Sequence, residues 1–249
     1  MRLLVTNDDG YLALGIQTLA AAARALGDVD VVAPDREQSA TSHSLTLHHP
    51  LRARRVAQTG VHVVDGTPTD CVLLAPTLLG QRPDVVLSGI NHGANMGDDV
   101  LYSGTVAAAM ESTILNIPSI AFSYAGHDYE RIEAWESVIA RLLQRLLEGG
   151  RFPAETLLNV NLPPIDPAEL KGVRVTTLGR REYVDSLQKG KDPNGREYFW
   201  IGGGSSRWWG RDDSDFRAIE QGYISVTPLH LDLTNHALVQ EIASWGLEL

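Results

Sequence analysis

With 249 residues, 43% of them apolar, the chain is long enough for one large α/β domain or a domain with an appendage. Its net charge of −10, from 21 basic and 31 acidic residues, argues against a nucleic-acid groove or an anionic membrane surface. A small phosphorylated substrate stays open, because a local metal ion inverts the field. The lone Cys71 excludes an intrachain disulfide, the N-terminus lacks the signal-peptide pattern, and no apolar run approaches the ~20 residues of a membrane span. A soluble cytoplasmic protein is predicted.

Leu3-Leu4-Val5 is a short apolar run that suits a central strand of a parallel sheet, and it ends abruptly in Asn7-Asp8-Asp9-Gly10. Two adjacent carboxylates at a buried strand's end repel each other and are costly to desolvate, so a divalent cation is the simplest compensation. Taken alone, the four residues equally fit a solvated turn. Ile16, Leu19, Ala20, Ala23 and Leu26 follow helical spacing, which predicts a helix over 15–26 stopped by Gly27, and Val29 to Ala33 is a second strand. Strand, helix and strand in that order build a parallel sheet, whose ligands bind at the carboxyl ends of the strands.

The loop 34–44 leaves that same edge and is rich in hydroxyls, which serve as hard oxygen ligands or as donors to phosphate. Within it Ser42 and His43 are candidates for substrate contact, His43 as a general acid. Leu45-Thr46-Leu47 alternates, and 51–58 reads as an edge strand. After a strand at 61–64, Thr67-Pro68-Thr69-Asp70 carries a helix N-cap, a first-turn proline and the acid of a capping box. Cys71 falls on the apolar side of that helix, as buried filler.

Asp84 to Ser88 is the next buried strand, expected to run into a loop 89–99 where Gly89, Gly93 and Gly97 alternate with Asn91 and Asn95. Neither the G-x-G-x-x-G dinucleotide fingerprint nor a P-loop is present. Ser103-Gly104-Thr105 feeds an alanine-rich helix, so its hydroxyls and free N–H groups form a phosphate cradle or, for one of them, a plain N-cap. A strand at 119–123, an amphipathic helix over 129–147 and strands at 157–162 and 173–178 follow. From Arg180 the composition changes. Asp192-Pro193-Asn194-Gly195 reads as a turn joining Tyr183-Val184 to Tyr198–Ile201. This hairpin carries Tyr198, Phe199, Trp200, Trp208 and Trp209, more aromatic surface than a free arm sustains, so a partner subunit is the natural cover. A strand at 222–229 and a helix over 236–247 close the chain.

Asn7-Asp8-Asp9-Gly10, Ser39 after Ala33-Pro34-Asp35, Gly66-Thr67-Pro68 with Asp70-Cys71, Ser88-Gly89-Ile90-Asn91, Tyr102-Ser103-Gly104-Thr105-Val106-Ala107-Ala108 and Gly222-Tyr223 with Thr227-Pro228-Leu229 together resemble the SurE family, over nearly the whole chain. That resemblance implies a Rossmann-like three-layer α/β core with a mostly parallel sheet over 1–179. Residues 180–249 would form a hairpin arm and a strand-helix unit, part of the same domain and exchanged between subunits of a homodimer or homotetramer. It implies a phosphomonoesterase acting on nucleoside 5′- and 3′-monophosphates, and on short polyphosphate, with one Mg²⁺ or Mn²⁺ per subunit. The implied metal ligands are Asp8, Asp9, Ser39 and Asn91, with Asp8 or Asp9 activating water; Asn95, Ser103, Gly104 and Thr105 match the phosphate-holding segment. No nucleic-acid polymer or membrane is expected as a partner.

The chain departs from the family pattern at Leu14 (usually Pro), Ser112 (usually Gly) and Asp213-Ser214 (usually Gly-Thr). A covalent aspartyl-phosphate ranks below direct attack by water, because aspartate-nucleophile phosphatases tend to carry D-x-D and the residue two after Asp8 is Gly10. A non-catalytic nucleotide-binding module would gain little from paired carboxylates facing a phosphate. An assembly role for the hairpin is compatible with catalysis.

Overall fold

The computed structural model describes residues 1–148, 152–184, 187–201 and 205–247. In chain order the elements are β1 (Arg2–Thr6), α1 (Leu14–Ala23), β2 (Asp28–Pro34), β3 (Ala53–Arg55), β4 (His62–Val64), α2 (Pro68–Leu79), β5 (Val85–His92), α3 (Gly104–Ile114), β6 (Ser119–Tyr124), α4 (Glu136–Leu147), β7 (Thr156–Leu162), β8 (Val173–Val175), β9 (Arg180–Val184), β10 (Leu187–Lys191), β11 (Glu197–Ile201), β12 (Ser205–Trp209), α5 (Asp215–Glu220), β13 (Ile224–His230) and α6 (His236–Ala243). Nine strands form one sheet in the order β3-β4-β2-β1-β5-β6-β7-β13-β8. From β4 to β7 every neighbouring pair is parallel, while β3 is antiparallel to β4 and β13 to β7.

Alternation along β1 divides the core into two layers. Leu3 and Val5 pack with Ile16 and Leu19 of α1 and with Ile139 and Leu143 of α4. Leu4, on the opposite face, packs with Cys71 and Val72 of α2 and Ala108 of α3. The sheet is therefore covered on both sides, as its parallel strands require. The chain runs from β1 outward to β2 and returns past β1 to β5. The β1/β5 crevice is thus the topological switch point, where open α/β sheets bind their ligands.

The capping box at α2 forms as its spacing predicts: the Thr67 hydroxyl accepts from the Asp70 N–H, and the Asp70 carboxylate accepts from the Thr67 N–H. Four expectations need correction. First, β5 continues through Gly89 to His92, because Ser88 and Asn91 both find partners on β6 across a register shift. Second, 129–147 is not one helix. Tyr129–Trp135 is a 3₁₀ segment, in which Ile132 and Trp135, three residues apart, share the buried side before α4 begins. Third, the edge strand read over 51–58 is only the three residues of β3, all exposed. Fourth, the strand opposite Tyr198–Ile201 is β10, while Arg180–Val184 pairs with β12.

The arm is thus a long hairpin of two ladders, closed by an Asp192 turn in which the carboxylate accepts from the Asn194 and Arg196 N–H groups. Its aromatics divide. Trp208 stacks on Phe216 of α5 at 5.7 Å, whereas Tyr198, Phe199, Trp200 and Trp209 stand exposed. The strand at the chain's end, β13, lies inside the main sheet between β7 and β8.

Candidate active site

Asp8 and Asp9 follow β1 after a single residue, Asn7, at the carboxyl end of the strand beside the switch-point crevice. Asp8 is 3% exposed. It leans toward α3, where the Thr105 N–H donates to Oδ2 at 3.1 Å and the Thr105 hydroxyl donates to Oδ1. The N-terminus of α3, which the sequence offered to phosphate, is thus engaged by a carboxylate of the protein itself, a favourable arrangement for the helix dipole. Gly104 makes the approach possible: a Cβ there would stand 2.9 Å from Asp8 Cβ and 3.3 Å from Pro68 Cγ. Ser103 caps the helix, its hydroxyl accepting from the Val106 N–H at 3.1 Å.

Asp9 leans toward the end of β5 and accepts from the His92 N–H at 3.0 Å, with His92 Nδ1 3.9 Å from its other oxygen. Gly10, at φ +93°, turns the chain immediately after the pair, as the sequence predicted. Burial, and then the Asp9 charge, push the Asp8 carboxyl up to about 6, against the lowering effect of Thr105. Burial also pushes Asp9 up to about 6, helped by Glu37 and opposed by the His92 N–H. Both ionised forms are therefore disfavoured where the fold has placed them, which is the electrostatic signature of a site for positive charge.

A cavity of about 710 Å³ is lined by Asp8, Ser39, Asn91, His92, Asn95 and Ser103, among others; Asp9 does not line it but adjoins it through Asp8 and His92. The loop after β2 is drawn in by the Gln38 N–H, which donates to the Asp8 carbonyl at 2.7 Å. Ser39 then faces the cavity with its hydroxyl donating to Glu37 at 2.6 Å, so its oxygen lone pairs remain available. The Asn91 side-chain amide donates to the Gly93 carbonyl at 2.8 Å, which leaves Oδ1 as its free acceptor. Two carboxylates, a hydroxyl and an amide oxygen make an all-oxygen donor set, hard enough for Mg²⁺ or Mn²⁺. The donor chemistry fits the cation that the paired charges call for.

Of the remaining candidates, Asn95 and Ser103 line the cavity, and Thr105 and Gly104 serve Asp8. Ser42 and His43 do not line it: the Ser42 N–H donates to the Tyr102 carbonyl, and His43 pairs with Glu111 of α3 at 2.8 Å. Three contributors were not singled out from the sequence. His92 stacks on Tyr129 with centroids 4.5 Å apart and supports Asp9 through its backbone. Tyr102 and Ile201, the latter from the arm, supply an apolar wall. Proximity of Tyr102 to the Ser103-Gly104-Thr105 turn was a usable signal; nothing local marked Ile201.

A sequence model described as "Survival protein SurE" matches residues 3–185, nearly three quarters of the chain. The chain belongs to the SurE family. The candidate metal and phosphate positions from Asp8 to Thr105 lie in that stretch, whereas Ile201 and the SurE-like Gly222-Tyr223 and Thr227-Pro228-Leu229 lie beyond it. The chain is 58% identical to the 5′-nucleotidase SurE of Gemmatimonas aurantiaca over all of both chains. It is 51% identical to that of Geobacter metallireducens, across 98% of this chain and 97% of the relative. Its fold superposes on the crystal structure of the SurE protein from Aquifex aeolicus with a TM-score of 0.86 at 43% identity, covering 98% of this chain and 99% of that one.

Proposed function

We propose that this SurE chain hydrolyses nucleoside 5′-monophosphates to nucleoside and phosphate, with one divalent cation held by Asp8, Asp9, Ser39 and Asn91. The observation that carries the reading is the carboxylate pair, Asp8 buried and Asp9 partly buried, both raised to about 6, at the switch-point crevice where Asp8 lines a ligand-sized cavity. The SurE relatives named 5′-nucleotidase support the substrate class. A cation bound there supplies charge neutralisation for a phosphate oxygen and acidifies water.

The two aspartates take different parts. Asp8, with an oxygen held by each Thr105 donor, is the fixed ligand. Asp9 keeps an oxygen free of any hydrogen bond shorter than the 3.9 Å His92 approach, so it orients the attacking water and accepts its proton. The Ser103 hydroxyl, accepting from Val106, still has its own proton to donate to phosphate, and Asn95 stands beside it on the cavity wall. Tyr102 and Ile201, which line the same cavity as Asp8, give the nucleoside an apolar surface. The test is phosphate release from a panel of nucleoside 5′- and 3′-monophosphates and tripolyphosphate, with Mn²⁺, Mg²⁺ or chelator, for the wild type and Asp8→Asn. No metal-dependent release from any 5′-monophosphate would sink the proposal.

The exposed residues of the arm and of α6 support assembly as a dimer or tetramer in which these elements are exchanged. Leu238, Val239 and Ile242 of α6 are each 38–46% exposed, and Trp200 is 67% exposed. Light scattering on the wild type is expected to give twice or four times the chain mass, and a monomer would refute the exchange. Action in the cytoplasm fits a single cysteine held as a buried thiol; no helix among the described residues is long and apolar enough to cross a membrane.

A further inference from the structure

The strand β7 reads Thr-Leu-Leu-Asn-Val-Asn-Leu, and its two asparagines, fully buried, share one face of the sheet. Buried amides inside a nine-stranded sheet are costly unless they are hydrogen-bonded, and of their side-chain atoms only Asn159 Oδ1 lacks a partner among the described residues. Here they are spent on one residue of the cavity wall. The Asn95 N–H donates to Asn161 Oδ1 at 3.0 Å, and the Asn95 carbonyl accepts from Asn161 Nδ2 at 2.9 Å and from Asn159 Nδ2 at 2.8 Å. The Asn161 side chain therefore pairs with the peptide groups of Asn95 as a neighbouring strand would. The Asn95 side chain donates to Ser123 of β6 at 2.9 Å, which sits beside Asn161 in register. Two residues on, the Gly97 N–H donates to the buried Asp215 carboxylate at 2.7 Å.

We infer that Asn161, assisted by Asn159, is a positioning residue for hydrolysis: its amide holds the backbone of Asn95 so that the Asn95 side chain meets the substrate phosphate. This rests on the proposed function, in which Asn95 touches phosphate. The clamp needs an amide, because one side chain must donate to a carbonyl and accept from an N–H of the same residue. It also explains why a loop with three glycines, 93–97 and its approach from Gly89, presents one side chain in a defined direction.

A double-mutant cycle tests it, with activity, Mn²⁺ affinity and hydrogen exchange as readouts. Asn161→Ala is expected to lower kcat/KM by about 10- to 100-fold, chiefly through KM, since a small misplacement of a binding group has effects of that size. Calorimetric Mn²⁺ affinity should stay within about 2-fold, because Asp8 and Asp9 hang from β1. In an Asn95→Ala background the same change should cost less than about 3-fold, because its effect runs through a side chain already gone. Full additivity, an unchanged kcat/KM in the single variant, or a parallel loss of Mn²⁺ affinity would each overturn the assignment. If Asn161→Ala does not fold, Asn159→Ala removes one donor to the same carbonyl and is held to the same non-additivity. A wild type that releases no phosphate would defeat the proposed function alone. The clamp is then judged by hydrogen exchange of 93–97 in the wild type and Asn159→Ala: faster exchange in the variant upholds it, and equal rates overturn it.

Discussion

Two buried polar clusters lie on neighbouring parts of the same sheet, and they have opposite characters. At β7 and its neighbours, Ser123, Asn159, Asn161, Ser225, Thr227 and Thr176 are almost wholly buried, and they are neutral. Thr176 bonds both Ser225 and Thr227, while the asparagines and Ser123 bond Asn95. At the end of β1, Asp8 and Asp9 are charged groups with donors on one side only and raised carboxyls. The first cluster is completed by the chain itself at every side-chain polar atom but one, Asn159 Oδ1, which has no partner among the described residues. The second is assembled by the fold from two acidic groups whose ionised forms burial disfavours. Burial of polar groups therefore marks structure in one place and the proposed ligand site in the other, and charge is what separates them.

The sharpest way to break that contrast is to remove charge without changing shape. Asp8→Asn is expected to lower nucleotide hydrolysis by roughly 10³-fold, the size usual for a central catalytic group. In the metal-free protein the same change should hold or raise the Tm, since it removes a buried charge. A Tm loss that tracks the activity loss would make the pair structural, like the asparagines. The next effect concerns the approach of Asp8 to α3. Gly104→Ala places a methyl group against Asp8 Cβ. It should weaken Mn²⁺ binding by about 10-fold or more in titration calorimetry, and cost about 1–3 kcal/mol in urea unfolding, as overpacking does.

The smallest expected effect is on pH dependence. Folding raises both aspartates from 3.8 to about 6, so the folded state binds more protons than the unfolded chain between those values. The stability this contributes is present below about pH 4 and is lost as pH rises through about 6. Metal-free protein should therefore be more stable at pH 4.5 than at pH 7 by an amount on the order of 2 kcal/mol, read by urea unfolding. Saturating Mn²⁺ should reverse the trend, because the cation favours the ionised pair. A metal-free stability that instead rises across this window would mean that the pair is already compensated by the chain.

Much of this arrangement was legible in the residues. Asn7-Asp8-Asp9-Gly10 announced a charged turn at a strand end, and the Thr67–Asp70 capping box formed as its spacing predicted. Both are matters of a few consecutive residues. The division of labour within Ser103-Gly104-Thr105 was not legible, since Thr105 finds its partner 97 residues away. The hairpin register was misplaced because Asp192–Gly195 defines the turn but not how far its ladders run, and the 3₁₀ stretch at 129–135 was hidden inside a helical pattern. The Asn-x-Asn of β7 was visible as a pair of amides in an apolar strand, but its target was not.

By itself, then, the sequence determined the parallel α/β class, the oxygen-rich strand ends and the carboxylate pair, because periodicity, capping and turn chemistry act over a few residues. Only the tertiary structure decided that β1 and β5 flank the switch point, that the helix α3 N-terminus holds Asp8 in place of a ligand, and that β7 reaches across to Asn95. Those contacts depend on the order of strands in the sheet, which brings together residues 64 to 97 positions apart and leaves no local trace in the chain.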